Sequence, residues 1–97
     1  MSAYVIGNVE VHDQQTYEKY RAHTLETIQQ FGGRFLVRGG EVDVKEGVWQ
    51  PKRMVLLEFA DMATARRWYD SAAYQAILPY RLDSAKTDLV LVEGLPA

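Results

Sequence analysis

The chain contains no cysteine, so a disulfide framework, thiolate catalysis and sulfur-ligated zinc are all excluded. Packing alone must hold the fold. Basic residues are not in excess either, since eleven Lys plus Arg against thirteen Asp plus Glu leave a net charge of -2. That balance offers no general attraction to a nucleic-acid backbone or an anionic lipid surface. No apolar run approaches the ~18 residues of a membrane span, and Met1 to Asn8 show neither a basic start nor an apolar leader core. The expectation is a cytoplasmic protein with neither nucleic acid nor membrane as partner. Glycine-rich nucleotide fingerprints, a phosphate loop, a nucleophile elbow and a metalloprotease helix are also missing. No cofactor is expected.

What is present is apolar content in two different periods. With 47% hydrophobic residues in 97, the chain suits one domain over residues 1–97. Ala3 to Val11 alternates, with Val5, Val9 and Val11 on one side and Tyr4, Ile6, Asn8 and Glu10 on the other. Asp13 then stands as a helix N-cap. Tyr17, Tyr20, Thr24, Ile28 and Phe31 recur at three- or four-residue steps until Gly32 and Gly33 stop the helix. Arg34 to Val44 reads as a second strand with a bulge at Gly39-Gly40. Glu46-Gly47 and Pro51 mark a turn region into a third strand, Arg53 to Phe59, completing a hairpin. Asp61 caps a second helix that turns Ala65, Trp68 and Tyr69 inward. Ser71 caps a short continuation through Tyr74, Ile77 and Leu78, which Pro79 ends or kinks. Asp88 to Glu93 forms the last strand.

The order βαββαβ is the ferredoxin-like split βαβ arrangement, an α+β fold with a four-stranded antiparallel sheet and two helices on one face. Under the helices it places Val5, Val9, Phe35, Val37, Val55, Leu57 and Phe59. The other face receives Tyr4, Ile6, Leu36, Met54 and Leu56, which is too apolar for water. A second copy of the chain is the simplest cover, so a homodimer is expected.

Ala3-Tyr4-Val5-Ile6, Tyr20-Arg21, the Gly32 to Gly40 run, Leu57-Glu58-Phe59, Trp68-Tyr69-Asp70-Ser71, Tyr74-Gln75-Ala76 and Leu89 to Gly94 follow one pattern in order. On these residues the chain resembles domain-of-unknown-function family 1330 over essentially its whole length. The resemblance implies a dimeric α/β-barrel. Relatives in that wider superfamily include cofactor-independent quinone-forming monooxygenases, lactone isomerases and haem-degrading proteins, whereas this family itself has no settled activity.

Candidate site residues follow from strand parity. Arg34, Leu36 and Arg38 share a side, and a hairpin register with residue numbers summing near ninety-six sets Arg38 opposite Glu58. The pair then serves either as a catalytic couple, with Arg38 receiving an enolic oxygen and Glu58 acting as base, or as an ion pair that pins dimer register. Asn8 adds a neutral donor to that face or bonds to nearby backbone. Arg34 lines the mouth or stays solvated. Trp68, Tyr69 and Tyr74 form an aromatic wall or simply core, and Arg81 reaches a ligand anion or caps its own region. The expected pocket is walled by Tyr4, Leu36, Met54, Leu56 and Trp68. His23, at the edge of the helical stripe, is the one route to haem, and no residue set has metal-ligand spacing.

The expected function is binding of a small aromatic or carbonyl compound in a pocket between sheet and helices, as a cofactor-independent monooxygenase or isomerase. The alternative is a non-catalytic dimeric binding or assembly module.

Overall fold

Strand alternation and helical stripes resolve, in the computed structural model, into seven elements over the described residues 1–96. They are β1 (Ala3–Val11), α1 (Gln14–Gln30), β2 (Arg34–Arg38), β3 (Met54–Phe59), α2 (Met62–Asp70), α3 (Ala72–Ser84) and β4 (Ala85–Glu93). The sheet is antiparallel throughout, in the order β2-β3-β1-β4. This is the ferredoxin-like α+β fold expected.

Local chemistry explains the boundaries. Asp13 accepts a hydrogen bond from the Thr16 backbone N–H at 3.2 Å and Asp61 one from the Thr64 N–H at 2.7 Å, each satisfying a donor that the first helical turn leaves open. The side chains of Thr16 and Thr64 first, and these N–H bonds second, hold the two carboxyls below their ordinary value. Helix α1 ends where Gly32 takes a φ of 69°, a left-handed conformation that suits glycine. Gly33 follows for a steric reason, because a Cβ there would lie 2.4 Å from the Phe59 ring.

The break between α2 and α3 falls at Ser71 as expected, where the hydroxyl donates to the Trp68 carbonyl at 2.7 Å and accepts from the Tyr74 N–H at 3.2 Å. Three boundaries differ from the expectation, the first being β4, which begins at Ala85 rather than Asp88. Helix α3 then runs through Pro79 to Ser84. It tolerates the proline because Pro79 and Gln75 lie on the exposed side, where water can bond the carbonyl that Pro79 leaves free. Strand β2 stops at Arg38, and residues 39–53 form no regular structure.

All three helices cover the face bearing Ala3, Val5, Val9, Leu57, Phe59 and Ala85, and these bury with Ile28, Trp68, Tyr74 and Ile77 in one core. The opposite face keeps Tyr4, Ile6, Met54, Leu56 and Glu58, with Val90 55% and Val92 43% exposed. Among the described residues no helix is long and apolar enough to cross a membrane.

Candidate functional site

The hairpin register decides which arginine goes where. Arg34 pairs with Glu58 and Phe35 with Leu57, but Val37 pairs with Leu56 and Arg38 with Val55. Leu36 is the extra residue of a bulge, which restarts the alternation one position late. Three expectations are corrected by this one residue. The bulge sits at Leu36 rather than Gly39-Gly40, Val37 stands beside Leu56 on the open face, and Arg38 does not face Glu58. Glu58 instead accepts from Arg34, at 2.7 Å from Nη2 and 2.9 Å from Nε. Arg34 is 69% exposed, so this is a surface pair worth about 0–1 kcal/mol.

Arg38 turns toward the helices and meets a cavity between α1 and the covered face of the sheet. Val5, Val9, Val55, Leu57 and Leu89 give it apolar walls from the sheet, and Phe35 and Trp68 add aromatic ones. Tyr17, Tyr20 and Thr24 enter from α1, and Thr87 from β4. The cavity spans about 520 Å³ when its open mouth is counted. The wall expected from Tyr4, Leu36, Met54 and Leu56 is not part of it, because those side chains lie on the other face of the sheet. Trp68 alone of that set is.

Four arginines line this space, Arg21, Arg38, Arg53 and Arg81, and among the described residues no carboxylate does. Exposed Arg21 and Arg38 mark its mouth, while Arg81 is only 5% exposed. The Arg38 guanidinium lies 4.3 Å from the Phe35 ring centre and donates to the Arg21 carbonyl at 3.4 Å. Burial, then the like charges of Arg21 and Arg53, hold it below its ordinary value. Arg53 stands 5.9 Å from the Tyr17 ring centre and Arg81 5.6 Å from that of Tyr20. Nε of Arg53, Nε of Arg81 and the Thr87 hydroxyl are buried without a hydrogen-bond partner. Each such group costs about 1–3 kcal/mol, and more where it is charged.

A rigid polar seam backs the cavity. The Tyr20 and Tyr74 hydroxyls stand 2.7 Å apart, Thr24 donates to the Tyr20 carbonyl at 2.6 Å, and Trp68 Nε1 donates to Thr27 Oγ1 at 3.1 Å. Burial first, then Tyr74, pushes the Tyr20 hydroxyl well above its ordinary value.

Of the residues singled out in the sequence, the structure brings together Arg38, Trp68 and Arg81. Tyr74 stands behind them in the core, fully buried. Tyr69 borders a separate shallow groove with Arg66 and Asp70. Asn8 lies on the open face, where its Oδ1 accepts from the Lys52 N–H at 2.9 Å. His23 borders an outer groove with Lys19 and Tyr80, away from the cavity. Sequence reasoning missed Arg53 and Thr87, although both carry a usable signal. Arg53 shares parity with Val55 and Leu57, and Thr87 with Leu89 and Leu91.

The strand order and the helices packed on one face define a small ferredoxin-like α+β protein, and comparison with known proteins agrees. The chain matches the family Domain of unknown function (DUF1330) over residues 2–95 and belongs to it. No curated protein matches. Among solved structures it is similar to the RPA0582 protein of unknown function from Rhodopseudomonas palustris, with a TM-score of 0.74 and 12% identity over 99% of this chain and 84% of that one. A dimeric ferredoxin-like protein of unknown function from Jannaschia sp. CCS1 superposes with a TM-score of 0.70 and 13% identity, covering 97% and 100%. SnoaB, a cofactor-independent oxygenase from Streptomyces nogalater, does so at 0.65 and 11%, covering 99% and 95%. At these identities the likeness establishes the fold.

Proposed function

We propose that the chain is a homodimer that binds a small aromatic or carbonyl compound in the cavity between α1 and the sheet. The observation that carries this reading is the cavity itself, an apolar space with aromatic walls and a few convergent polar groups that its own side chains leave unfilled. Arginines that face the space suit a ligand able to become an enolate or phenolate, the kind of anion on which cofactor-independent oxygenases and isomerases work. SnoaB, which shares the fold, is a cofactor-independent oxygenase. A non-catalytic binding module is the second reading. It is favoured by the lining, which among the described residues holds neither a carboxylate nor an imidazole to act as base.

Titration with acetophenone, followed by backbone amide shifts, tests binding. Shifts are expected at Gly7, Thr24 and Thr87, and should vanish in Gly7→Val. Gly7 lies on the cavity wall, and a Cβ there meets only the flexible end of Leu89 closely, at 3.0 Å. Absence of these shifts, or their survival in the folded variant, would remove the reading. Exchange of the acetophenone methyl protons in D2O then separates the two functions. Acceleration over buffer supports catalysis, and an unchanged rate supports binding alone.

A further inference from the structure

The rim of the cavity on the β2 side gathers charge that the fold itself does not neutralise. Arg38 pairs with Val55 across β2 and β3, and Arg53, two residues before Val55, shares its parity. Side chains set diagonally in this way stand about 7–8 Å apart, within reach for two arginines. Both are held by their surroundings. The Arg38 guanidinium lies 4.3 Å from the Phe35 ring centre and donates to the Arg21 carbonyl at 3.4 Å. Arg53 crosses directly over Gly39, where a Cβ would stand 2.6 Å from its Nη1 and 3.0 Å from its Cζ. Gly39 also takes a φ of 73°, and its N–H bonds the Met54 carbonyl at 2.8 Å, so the backbone beneath Arg53 is fixed in a shape that suits glycine. Arg21 adds a third guanidinium from α1. Among the described residues the ion pairs are Glu18 with Arg21, Glu58 with Arg34 and Asp43 with Lys45, so Arg38 and Arg53 have none. Glu41, the next acid along the chain, is exposed and joins no pair. Three guanidiniums against one carboxylate leave two positive charges on this rim, and Arg21 and Arg53 both repel Arg38. Arg53 Nε is moreover buried without an acceptor. Cations fixed side by side and left uncompensated make a site for an anion.

We infer that this rim is a site for a phosphate group, free or carried by a small molecule as a monoester, held between the Arg38 and Arg53 guanidiniums with Arg21 beside it. The inference goes beyond the cavity reading and does not depend on it. A phosphate carries close to two negative charges at neutral pH, which matches the two positive charges that the rim leaves uncompensated. Its oxygens also meet two planar forks at once, whereas a carboxylate has the oxygens and the charge for one. Because Arg38 is exposed, the anion keeps part of its water and escapes the full cost of desolvation. Three arginines in a chain of net charge -2 give no extended basic track for a nucleic-acid backbone or a bilayer, so the phosphate is that of a small species.

The test is titration of the full chain with inorganic phosphate, methyl phosphate and acetate at fixed ionic strength, followed by backbone amide shifts. Phosphate is expected to give saturable shifts at Arg38, Gly39 and Gly40 and to bind at least about tenfold more tightly than acetate. Arg38→Met and Arg53→Met should each weaken phosphate about tenfold or more. Arg38 is exposed, so its replacement leaves the fold intact and carries the test even where Arg53→Met does not fold. Arg34→Met removes the same charge from the other face of the sheet and should change phosphate affinity by less than about twofold. Methyl phosphate identifies the source. Tighter binding than inorganic phosphate supports a carried monoester, and equal or weaker binding supports the free anion. Acetate binding as tight as phosphate, shifts that do not saturate, or a loss in Arg34→Met equal to that in Arg38→Met overturns the inference. The acetophenone shifts at Gly7 and Thr24 are read separately, so the cavity reading and this one stand or fall apart.

Discussion

Tyr20 and Tyr74 show how single residues couple the core to the cavity. Their hydroxyls lie 2.7 Å apart, Tyr74 is fully buried, and Tyr20 lines the cavity. Burial raises both hydroxyls, and for Tyr20 the neighbouring Tyr74 adds to the rise. An unfolded tyrosine loses its proton near pH 10 while these two retain theirs. Above that pH the unfolded chain therefore binds fewer protons than the folded one, and stability falls as pH rises; below it the pair's contribution is fully present. Tyr20→Phe should cost about 1–2 kcal/mol at pH 8, because it strands the Tyr74 hydroxyl in the core. The variant should also lose stability less steeply than the parent between pH 9 and 11.5, in urea unfolding followed by circular dichroism. An identical slope would place the alkaline sensitivity elsewhere. At this same scale the site was half legible. The arginine in the glycine-bracketed run and the aromatic cluster were visible as types, and Arg38, Trp68 and Arg81 do meet at the cavity. The partner for Arg38 was not legible, since it depends on which side of the sheet one residue falls.

That side is settled by elements. Leu36 is extra in β2 relative to β3, so parity before it and after it are opposite. Nothing in Arg-Phe-Leu-Val-Arg announces this, because every residue in the run is compatible with either face and the glycine pair that does signal irregularity lies further on. Strand order and helix caps were legible for the converse reason. Asp13, Asp61 and Ser71 each act through a neighbour three residues away, Thr16, Thr64 and Tyr74, and such local bonds are written in local sequence. Helix α3 was underestimated at Pro79, where the signal was local but its force depended on exposure. Pro79→Ala tests that account. The substitution restores an N–H to meet the Gln75 carbonyl and removes the ring from the helix interior, a gain partly offset by a freer unfolded chain. A rise in stability of about 1–2 kcal/mol is expected, read as a higher urea midpoint with unchanged slope. A fall would mean that Pro79 is packed in a way its exposed position denies.

For the whole molecule, the uncovered sheet face sets the state in solution. Four strands of up to nine residues present an outline of at most about 19 Å by about 30 Å, short of the roughly 800 Å² that each partner of a stable complex contributes, so flanking residues such as Trp49 have to complete the interface. Its centre is apolar, with Ile6, Leu56 and Val90 aligned across β3, β1 and β4 by the register. Charge lies toward the ends of the strands, at Arg34 and Glu58 on one side and at Asp88, Glu10 and Lys86 on the other. An apolar centre with a charged rim is the anatomy of a protein interface rather than of a wetted sheet. Trp49 makes the prediction optical. It is 59% exposed and borders Ile6, Met54 and Val90 on this face, whereas Trp68 is 1% exposed in the core. Association of two sheets should dry Trp49 and leave Trp68 as it is. Dilution through the dissociation range should then shift the emission to the red, and Leu56→Lys should be monomeric by sedimentation with the red-shifted spectrum at every concentration. The cavity lies on the other face of the sheet, so the acetophenone-induced amide shifts at Thr24 and Thr87 should be the same in this variant as in the parent. A parent chain that sediments as a monomer at high concentration would leave an oily sheet face facing water, and the homodimer would have to be abandoned while the arginine-lined cavity stood.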